Sequence, residues 1–319
     1  MEIGSMNELN KEKNFISVVI YVHNSEQQIA GFLKTITAVL ESNFKKSEII
    51  CVNDFSDDKS VEIIKNLSGE IKSTCISILN MSYFHGVEVA MTAGVDLAIG
   101  DFVFEFDSAT LDFDNEEIMK VYRKSLEGFD IVSASPDKTK RVSSRLFYHI
   151  FNRFGKLNYK MTTERFRILS RRVINRISSM NRTMPYRKPV YAACGLKTAN
   201  LVYKVTANIR EKEDSFTKNY RKSLAEDSFI IFTDLGYRLS VAVTSIMLFF
   251  TVGVGVYSLA FKFLRDPVPG WTSTILFLSV SMFFVFMILT IVLKYLQILV
   301  NLVFKKARYS FESIEKLTK

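Results

Sequence analysis

Two stretches of the chain switch abruptly from apolar to polar residues, and the chain between them has helical spacing. Residues 15–20 are apolar apart from one serine, and the apolar residues 49–52 end in the acidic run 53–58. Residues 27–41 place apolar side chains on one helical face. Two buried strands joined by a helix predict a βαβ unit. Ligands of open α/β sheets bind at the carboxyl ends of strands, so we expect a nucleotide beside Asp54.

The same pattern continues over the next fifty residues. Residues 75–79 predict a third strand, residues 89–99 a helix, and residues 102–107 a fourth strand that ends in the carboxylate of Asp107. Neighbouring strand ends meet at one edge of a sheet, so Asp54 and Asp107 are expected to flank one crevice. A pair of carboxylates can bind a divalent cation that in turn binds a diphosphate.

The acidic run also has a purely structural interpretation. Residues 56–66 predict a helix, with Ser56 as its N-cap. Asp57 and Asp58 would then stabilise the positive end of the helix dipole. This interpretation suits Asp57 and Asp58 better than Asp54, which lies at the strand end.

Two long segments near the C-terminus contain no charged residue. Residues 239–261 and 267–293 both exceed the ~20 apolar residues that a membrane helix needs. The loop between them holds Lys262, Arg265 and Asp266, whereas the outer flanks are richer in Lys and Arg. The positive-inside rule then places both termini in the cytoplasm. The pattern predicts a transmembrane helical hairpin in the cell membrane, with the preceding domain cytoplasmic.

The net charge of +9 is unevenly distributed. Residues 138–222 contain 22 Lys and Arg but only 4 Asp and Glu. Such a segment indicates a solvated face beside anionic lipid, recognition of phosphates by Arg, or both. No recognised motif for nucleic-acid binding accompanies it, so we expect no nucleic-acid partner. Three widely spaced cysteines form neither a disulfide framework nor a metal-binding spacing.

Five motifs, taken in order and spacing, resemble one known family. They are VVIYVHNSE, VNDFSDD, HGVEVAMTAG, GDFVFEFD and ERFRILSRR, followed by the two apolar segments. From about Ser17 to the C-terminus, the chain resembles the inverting family-2 glycosyltransferases with a GT-A fold. Within that family it is similar to the polyisoprenyl-phosphate glycosyltransferases, the group of dolichol-phosphate-mannose synthase. The resemblance implies transfer of a sugar from a nucleotide sugar to a lipid phosphate at the cytoplasmic leaflet.

The resemblance also implies roles for individual residues. Asp54 is similar to the aspartate that holds the base of the nucleotide. Asp107 is similar to the first Asp of the family's Asp-x-Asp motif, which implies a catalytic residue and a ligand of Mg²⁺ or Mn²⁺. Arg167 matches the family's active-site arginine, and Arg165 lies beside it. The other residues implied to bind the donor are Tyr21, His23, Asn24, Glu26, Arg210 and Lys218.

The chain departs from the family pattern at ligand positions. The second Asp of Asp-x-Asp is Ala109, the following Gln is Leu111, and the Glu of the opening motif is Ser25. Three explanations stay open: positive side chains such as Arg165 partly replace the metal, a shifted carboxylate rebuilds its site, or catalysis is lost. The candidates for a shifted carboxylate are Glu105, Asp112 and Asp114.

Strand and helix geometry separates these candidates. Glu105 and Asp107 alternate along the fourth strand, so both are expected to face the same side. Asp112 and Asp114 suit capping of a helix that begins near Glu116. If the acceptor were a sugar instead of a phosphate, the reaction would need a base, and Asp112 or Glu164 would be candidates.

The predicted fold class is α/β: a GT-A (Rossmann-like) mixed sheet with helices on both faces, then interfacial helices and a transmembrane hairpin. The predicted divisions are an N-terminal tail (1–13), a cytoplasmic GT-A domain (14–222), an interfacial segment (223–238), two transmembrane helices (239–261 and 271–293) joined by an extracytoplasmic loop (262–270), and a basic cytoplasmic tail (294–319).

Two functions follow from these expectations. The first is a membrane-bound glycosyltransferase of cell-surface glycan assembly. Its expected partners are a nucleotide sugar, polyprenyl phosphate or a lipid-linked glycan, membrane lipid and further copies of itself. The alternative is a catalytically impaired protein of the same fold that serves as a binding or assembly module.

Overall fold

The computed structural model covers the whole chain but describes only part of it. The described residues are 11–71, 74–137, 163–179, 186–206, 219–220, 222–224, 242, 245–246, 249, 253, 270–304 and 309–318. They fall into two compact units. One holds the sheet together with residues 309–318, and the other holds the long C-terminal helix.

The described strands form one eight-stranded mixed sheet in the order β7-β5-β6-β4-β1-β2-β3-β8. The sheet arises because apolar, β-branched runs such as ISVVIYV bury both faces of the central strands. The strands are β1 (Ile16–Val22), β2 (Ser47–Asn53), β3 (Cys75–Met81), β4 (Phe102–Phe106), β5 (Ile131–Pro136), β6 (Phe166–Ser170), β7 (Thr198–Tyr203) and β8 (Phe311–Lys316).

Helices connect the parallel strands, as βαβ units require. The described helices are α1 (Ile29–Asn43), α2 (Ser60–Ser68), α3 (Val87–Leu97), α4 (Glu116–Leu126), α5 (Arg171–Ser179), α6 (Arg187–Ala193) and α7 (Trp271–Phe304). Strands β1, β2, β3 and β4 run parallel, whereas β6 is antiparallel to both β4 and β5. The chain order reverses between β1 and β4, and such a switch point is where open sheets bind ligands.

Hydrophobic clusters cover both faces of the sheet. One contains Phe32 of α1 and Phe104 of β4, and the other contains Val19 of β1 and Met91 of α3. Gly94 shows how closely α3 approaches the sheet, because a Cβ atom there would lie 2.4 Å from the side chain of Val19. The predicted mixed α/β sheet with helices on both faces is therefore confirmed.

Two expectations about local structure were wrong. The helix after β2 begins at Ser60 instead of near Ser56, because the preceding residues form a loop. Asp58 nevertheless supports the helix start as expected, since its Oδ1 accepts the N–H of Ser60 at 3.0 Å. The predicted tail 294–319 contains strand β8, which pairs antiparallel with β3.

The remaining predicted divisions are only partly described. Residues 1–10 and nearly all of residues 225–269 lie outside the described residues, and residues 271–293 lie within α7. Among the described residues, no helix is both long enough and apolar enough to cross a membrane. The transmembrane hairpin and the interfacial segment stay predictions.

Candidate active site

Asp54 lies in the turn directly after β2 and is fully buried. Its Oδ1 accepts the backbone N–H of His85 at 2.8 Å, and its Oδ2 accepts the N–H of Gly86 at 2.8 Å and the hydroxyl of Tyr21 at 2.9 Å. Gly86 is the N-cap of α3, so the carboxylate lies at the positive end of the helix dipole. The Nδ1 atom of His23 contacts the carbonyl oxygen of Asp54 at 2.8 Å. We call Asp54 and these four contacting residues the Asp54 turn.

The loops that follow β1 and β2 hold each other in place. The Oδ1 of Asn24 accepts the N–H of Asp57 at 2.9 Å, and Asn24 has a φ of +47°. The N–H of Glu26 donates to Asp58 at 2.9 Å, while Glu26 Oε2 accepts the N–H of Lys59 at 3.3 Å. The structure thus places the predicted donor-binding residues Asn24 and Glu26 in contacts that join the loops after β1 and β2.

Asp107 directly follows β4, and its side chain is 23% exposed. Its Oδ1 accepts an N–H of Arg187 at 2.7 Å, and its Oδ2 accepts one of Arg167 at 3.0 Å. Arg167 lies on β6, where it is opposite Glu105 of β4. Arg187 is the first residue of α6. The predicted pair of Asp107 and Arg167 is therefore brought into direct contact.

Glu105 is fully buried and contacts the same two arginines as Asp107, which agrees with the prediction that both face one side of the sheet. Its Oε1 accepts an N–H of Arg187 at 2.7 Å and the hydroxyl of Tyr191 at 2.8 Å. Its Oε2 lies 3.2 Å from Nη1 of Arg167. Two guanidinium groups therefore share two carboxylates.

A third carboxylate links this cluster to the Asp54 turn. Oε2 of Glu88 accepts both the backbone N–H and the Nε–H of Arg187, at 2.9 and 3.0 Å. Glu88 lies in the first turn of α3, the helix whose start binds Asp54. Glu164 adds a contact of 3.2 Å to Nε of Arg167. We call this cluster the Asp107 centre: Glu88, Glu105, Asp107, Glu164, Arg167, Arg187 and Tyr191.

Burial and neighbouring charges shift the pKa of Asp107 in opposite directions. Burial raises the pKa of its carboxyl group, but the charges of Arg187 and Arg167 outweigh burial and hold that pKa well below its usual range. Burial also raises the pKa of Tyr191 well above its ordinary value, and the carboxylate of Glu105 adds to the rise. Asp107 is thus ionised at neutral pH, while Tyr191 remains a hydrogen-bond donor.

Arg165 binds a different carboxylate. Its Nε donates to Asp112 at 2.8 Å, and the hydroxyl of Tyr203 donates to the other oxygen of Asp112 at 2.9 Å. The catalytic role of Arg165 stays a prediction. The N-cap of α4 is Asn115, whose side chain forms no capping hydrogen bond, while Oδ1 of the preceding Asp114 accepts the N–H of Glu116 at 3.2 Å.

Sequence reasoning missed Arg187, although it binds three carboxylates of the Asp107 centre. The available signal was Glu105, since a carboxylate inside an apolar strand requires a buried partner. The basic segment 138–222 offered 22 candidates for that partner, and their spacing does not distinguish among them. Arg210 and Lys218 lie outside the described residues, so their donor-binding roles stay predictions.

The divalent cation implied by the resemblance does not fit Asp107 as the site is arranged. Both oxygens of Asp107 bind guanidinium groups within 3.0 Å, and that positive charge opposes a dication on the same carboxylate. Ala109 is only 2% exposed and lies in the hydrophobic cluster with Phe106 and Phe113. Position 109 therefore faces the core. In the part of the chain that the structure describes, no group of three His, Cys, Asp or Glu side chains is arranged to hold a metal ion.

Comparisons with known sequences place these residues in context. A family model for Glycosyl transferase family 2 matches residues 17–183. An uncharacterized glycosyltransferase of Synechocystis sp. is 29% identical over 290 residues, 83% of this chain and 85% of that protein. Undecaprenyl-phosphate 4-deoxy-4-formamido-L-arabinose transferase of Salmonella paratyphi A is 38% identical over 118 residues. That match covers 37% of this chain and only 35% of the transferase.

Solved structures resemble the chain only distantly. Glucosyl-3-phosphoglycerate synthase of Mycobacterium tuberculosis matches 71% of this chain and 82% of its own, with a TM-score of 0.46 and 13% identity. The same enzyme in complex with Mn²⁺, uridine diphosphate and phosphoglyceric acid matches with a TM-score of 0.42 and 15% identity. At this level of similarity, the ligands of those structures say nothing about the site of this chain.

Proposed function

We propose that the chain, which belongs to Glycosyl transferase family 2 and is a glycosyltransferase, moves a sugar from a nucleotide sugar to a lipid-linked acceptor. Polyprenyl phosphate is the acceptor we favour, because the Salmonella relative is named for undecaprenyl phosphate. The proposed location is the cytoplasmic leaflet of the cell membrane, where the product enters cell-surface glycan assembly.

The observation that carries this proposal is the linked pair of carboxylates at the ends of β2 and β4. Helix α3 joins them, since its start binds Asp54 and its Glu88 binds Arg187, which in turn binds Asp107. A donor would place its nucleoside at the Asp54 turn and its diphosphate near Asp107. The sugar would then lie at the exposed side of Asp107.

The proposed reaction breaks the bond between the anomeric carbon and the diphosphate. An oxygen of the acceptor phosphate forms the new bond from the opposite face, so the configuration inverts. This oxygen is already anionic, and it needs no general base. The departing diphosphate gains negative charge, which fixed cations stabilise.

The Asp107 centre is negatively charged overall, so it cannot by itself stabilise the negative charge of the departing diphosphate. Its four carboxylates outnumber its two guanidinium groups. Further positive charge must therefore reach the diphosphate from outside the centre, and the basic segment 138–222 is one source. Because a divalent cation does not fit Asp107 as the site is arranged, no step here depends on one.

The membrane location rests on the sequence. Residues 239–261 and 267–293 lack charge and are long enough to span a bilayer, and the basic flanks favour cytoplasmic ends. Basic residues near the membrane would also attract anionic lipid, at about 1 kcal/mol each. Assembly into a small homo-oligomer is part of the proposal, by analogy with the resembled family.

A labelling experiment tests the proposed function. Membranes that contain the full chain are incubated with a panel of radiolabelled nucleotide sugars, and label in the organic-extractable lipid is counted. Parallel reactions contain Mg²⁺, Mn²⁺ or EDTA. Membranes that contain an Asp107→Ala variant serve as the control.

We expect label in lipid from one donor and its loss in the variant. Label that survives in Asp107→Ala would contradict the role of the Asp107 centre. No label from any donor would contradict the lipid-linked acceptor and favour the binding-module alternative. The EDTA reaction decides whether the predicted cation is needed.

A further inference from the structure

The end of the chain returns to the sheet and reaches the Asp54 turn. Strand β8 pairs antiparallel with β3, and Ser310 lies just before it. The backbone N–H of Ser310 donates to Nε2 of His85 at 3.3 Å, while its carbonyl oxygen accepts the N–H of Ser82 at 3.2 Å. The C-terminal strand thus contacts a residue that binds Asp54.

One ring nitrogen of His85 faces a hydrogen-bond acceptor, and the other faces a hydrogen-bond donor. Nδ1 lies 2.6 Å from the carbonyl oxygen of Tyr83, which can only accept, and Nε2 faces the N–H of Ser310, which can only donate. This pair of contacts favours the tautomer that carries its proton on Nδ1. The ring of Tyr83 stacks on the imidazole with a centroid distance of 4.0 Å. His85 is therefore held on three sides, and its backbone N–H is aimed at Oδ1 of Asp54.

A second path connects β8 to the other side of Asp54. The side-chain amide of Asn80 on β3 donates to Oγ of Ser313 at 3.0 Å and to Oε1 of Glu315 at 2.9 Å. Oδ1 of Asn80 accepts from the amide of Asn53 at 2.9 Å. Asn53 is the last residue of β2, directly before Asp54. The strand thus reaches Asp54 through His85 on one side and Asn53 on the other.

Other contacts fix β8 to the same unit. Lys65 forms an ion pair of 2.6 Å with Glu315, and the hydroxyl of Tyr309 donates to Asp96 on α3 at 3.2 Å. The hydroxyl of Thr318 accepts the N–H of Ile76 at 2.6 Å. These contacts join residues more than 200 positions apart, so β8 docks only after the intervening chain is complete.

We propose that residues 309–318 are a positioning element of the donor site. By docking against β3, they fix His85 and Asn53 and thereby set the orientation of Asp54 toward a nucleoside diphosphate. The ligand part of this inference rests on the proposed function. Ser310 acts through His85 and is a positioning residue, with no contact of its own to the reacting atoms.

The test compares two substitutions at one position of the full-length chain. Ser310→Pro removes the backbone N–H that holds His85, and proline is tolerated at the start of an edge strand. Ser310→Ala keeps that N–H and removes only the hydroxyl, which lies 3.1 Å from that of Ser82. Nitrogen-15 NMR of labelled histidine reports the tautomer of His85. Calorimetry with UDP and with GDP reports nucleotide affinity.

We expect His85 of the unaltered chain and of Ser310→Ala to carry its proton on Nδ1. In Ser310→Pro the signals should shift toward a mixture of tautomers, and nucleotide affinity should fall about three- to tenfold, as for loss of one hydrogen bond. An unchanged tautomer together with unchanged affinity would overturn the proposal. A changed tautomer with unchanged affinity would overturn the link between His85 and the donor site.

A second variant covers the case in which Ser310→Pro does not fold. Asn80→Asp replaces the amide donor with a carboxylate that faces Glu315, so it should release β8 without altering residues 309–318. The same changes in tautomer and affinity are expected. If the unaltered chain bound neither nucleotide, the donor-site assignment would be overturned, whereas the tautomer would still decide whether β8 holds His85. Lipid labelling that fails while UDP or GDP still binds would contradict the proposed transfer to lipid and leave the donor-site assignment intact.

Discussion

The Asp54 turn and the Asp107 centre satisfy their carboxylates in different ways. Asp54 is bound by two backbone N–H groups and one hydroxyl, all of them neutral. Asp107 is bound by Arg167 and Arg187, which lie 60 and 80 residues further along the chain. The first arrangement depends on how loops and a helix start meet. The second depends on charged side chains that only the complete fold brings together.

This difference predicts unequal costs when each site is broken. Loss of a neutral hydrogen bond costs about 0.5–1.5 kcal/mol, and leaving its buried partner unsatisfied costs about 1–3 kcal/mol. Removal of one partner from a buried ion pair costs about 3–5 kcal/mol, because the remaining charge stays buried. The Asp107 centre should therefore be the more fragile of the two.

The largest effect is expected for Arg187→Gln. The substitution leaves Glu88, Glu105 and Asp107 without a shared cation, so the free energy of unfolding should fall by about 3–5 kcal/mol. Urea unfolding followed by circular dichroism measures the change. The proposed sugar transfer to lipid should fall at least about 100-fold, the scale of losing one electrostatic group from an active site.

Arg172→Gln provides the matched control for Arg187→Gln. Arg172 also pairs with a carboxylate, Asp130, but its side chain is 66% exposed. Exposed ion pairs contribute about 0–1 kcal/mol, so stability and transfer should stay close to those of the unaltered chain. Equal losses of stability and transfer in the two variants would show that removing an arginine charge is enough, and that burial at the Asp107 centre does not matter.

A smaller effect is expected for Asp54→Asn. The amide nitrogen would face a backbone N–H or the hydroxyl of Tyr21, which leaves a buried donor without an acceptor, at a cost of about 1–3 kcal/mol. Transfer kinetics should show a raised KM for the nucleotide sugar with a smaller change in kcat. A large loss of kcat with an unchanged KM would contradict the donor-binding role of Asp54.

The Asp54 turn could be predicted from the sequence more fully than the Asp107 centre, because the turn depends on local patterns and the centre depends on the tertiary fold. Strand ends and helix starts follow from local patterns, so the positions of Asp54, Asp107 and α3 could be predicted. The alternation of Glu105 and Asp107 along β4 was predictable as well. Their partner Arg187 was not, because α6 contacts β4 only through the tertiary fold. A pattern also cannot show that Ala109 faces the core.

Strand β8 illustrates a further limit of sequence reasoning. Residues 311–316, FESIEK, have three charged side chains, which suit an exposed edge strand as well as a solvated tail. Pairing with β3 joins residues more than 200 positions apart, and no local signal specifies such a pairing. The predicted basic tail was therefore assigned no part in the sheet.

Acid should weaken the Asp107 centre. The pKa of Asp107 is lowered in the folded chain, so its contribution to stability is present above the unfolded value of about 3.9. That contribution is lost as the pH falls below this value toward the folded pKa. Urea unfolding of the unaltered chain and of Asp107→Asn, between about pH 5 and pH 2, should show a steeper loss for the unaltered chain. If the free energy of unfolding fell equally with pH in both proteins, Asp107 would not make this contribution to stability.

The smallest effect is expected for Tyr21→Phe. The substitution removes one of three donors to Asp54 and leaves both backbone N–H groups in place. We expect a loss of about 0.5–1.5 kcal/mol in the free energy of unfolding and a modest rise in the KM for the nucleotide sugar. If Tyr21→Phe instead matched the loss in Arg187→Gln, Asp54 would depend on its side-chain donor more than on the backbone. The contrast between the two sites would then be wrong, because both would depend on distant side chains.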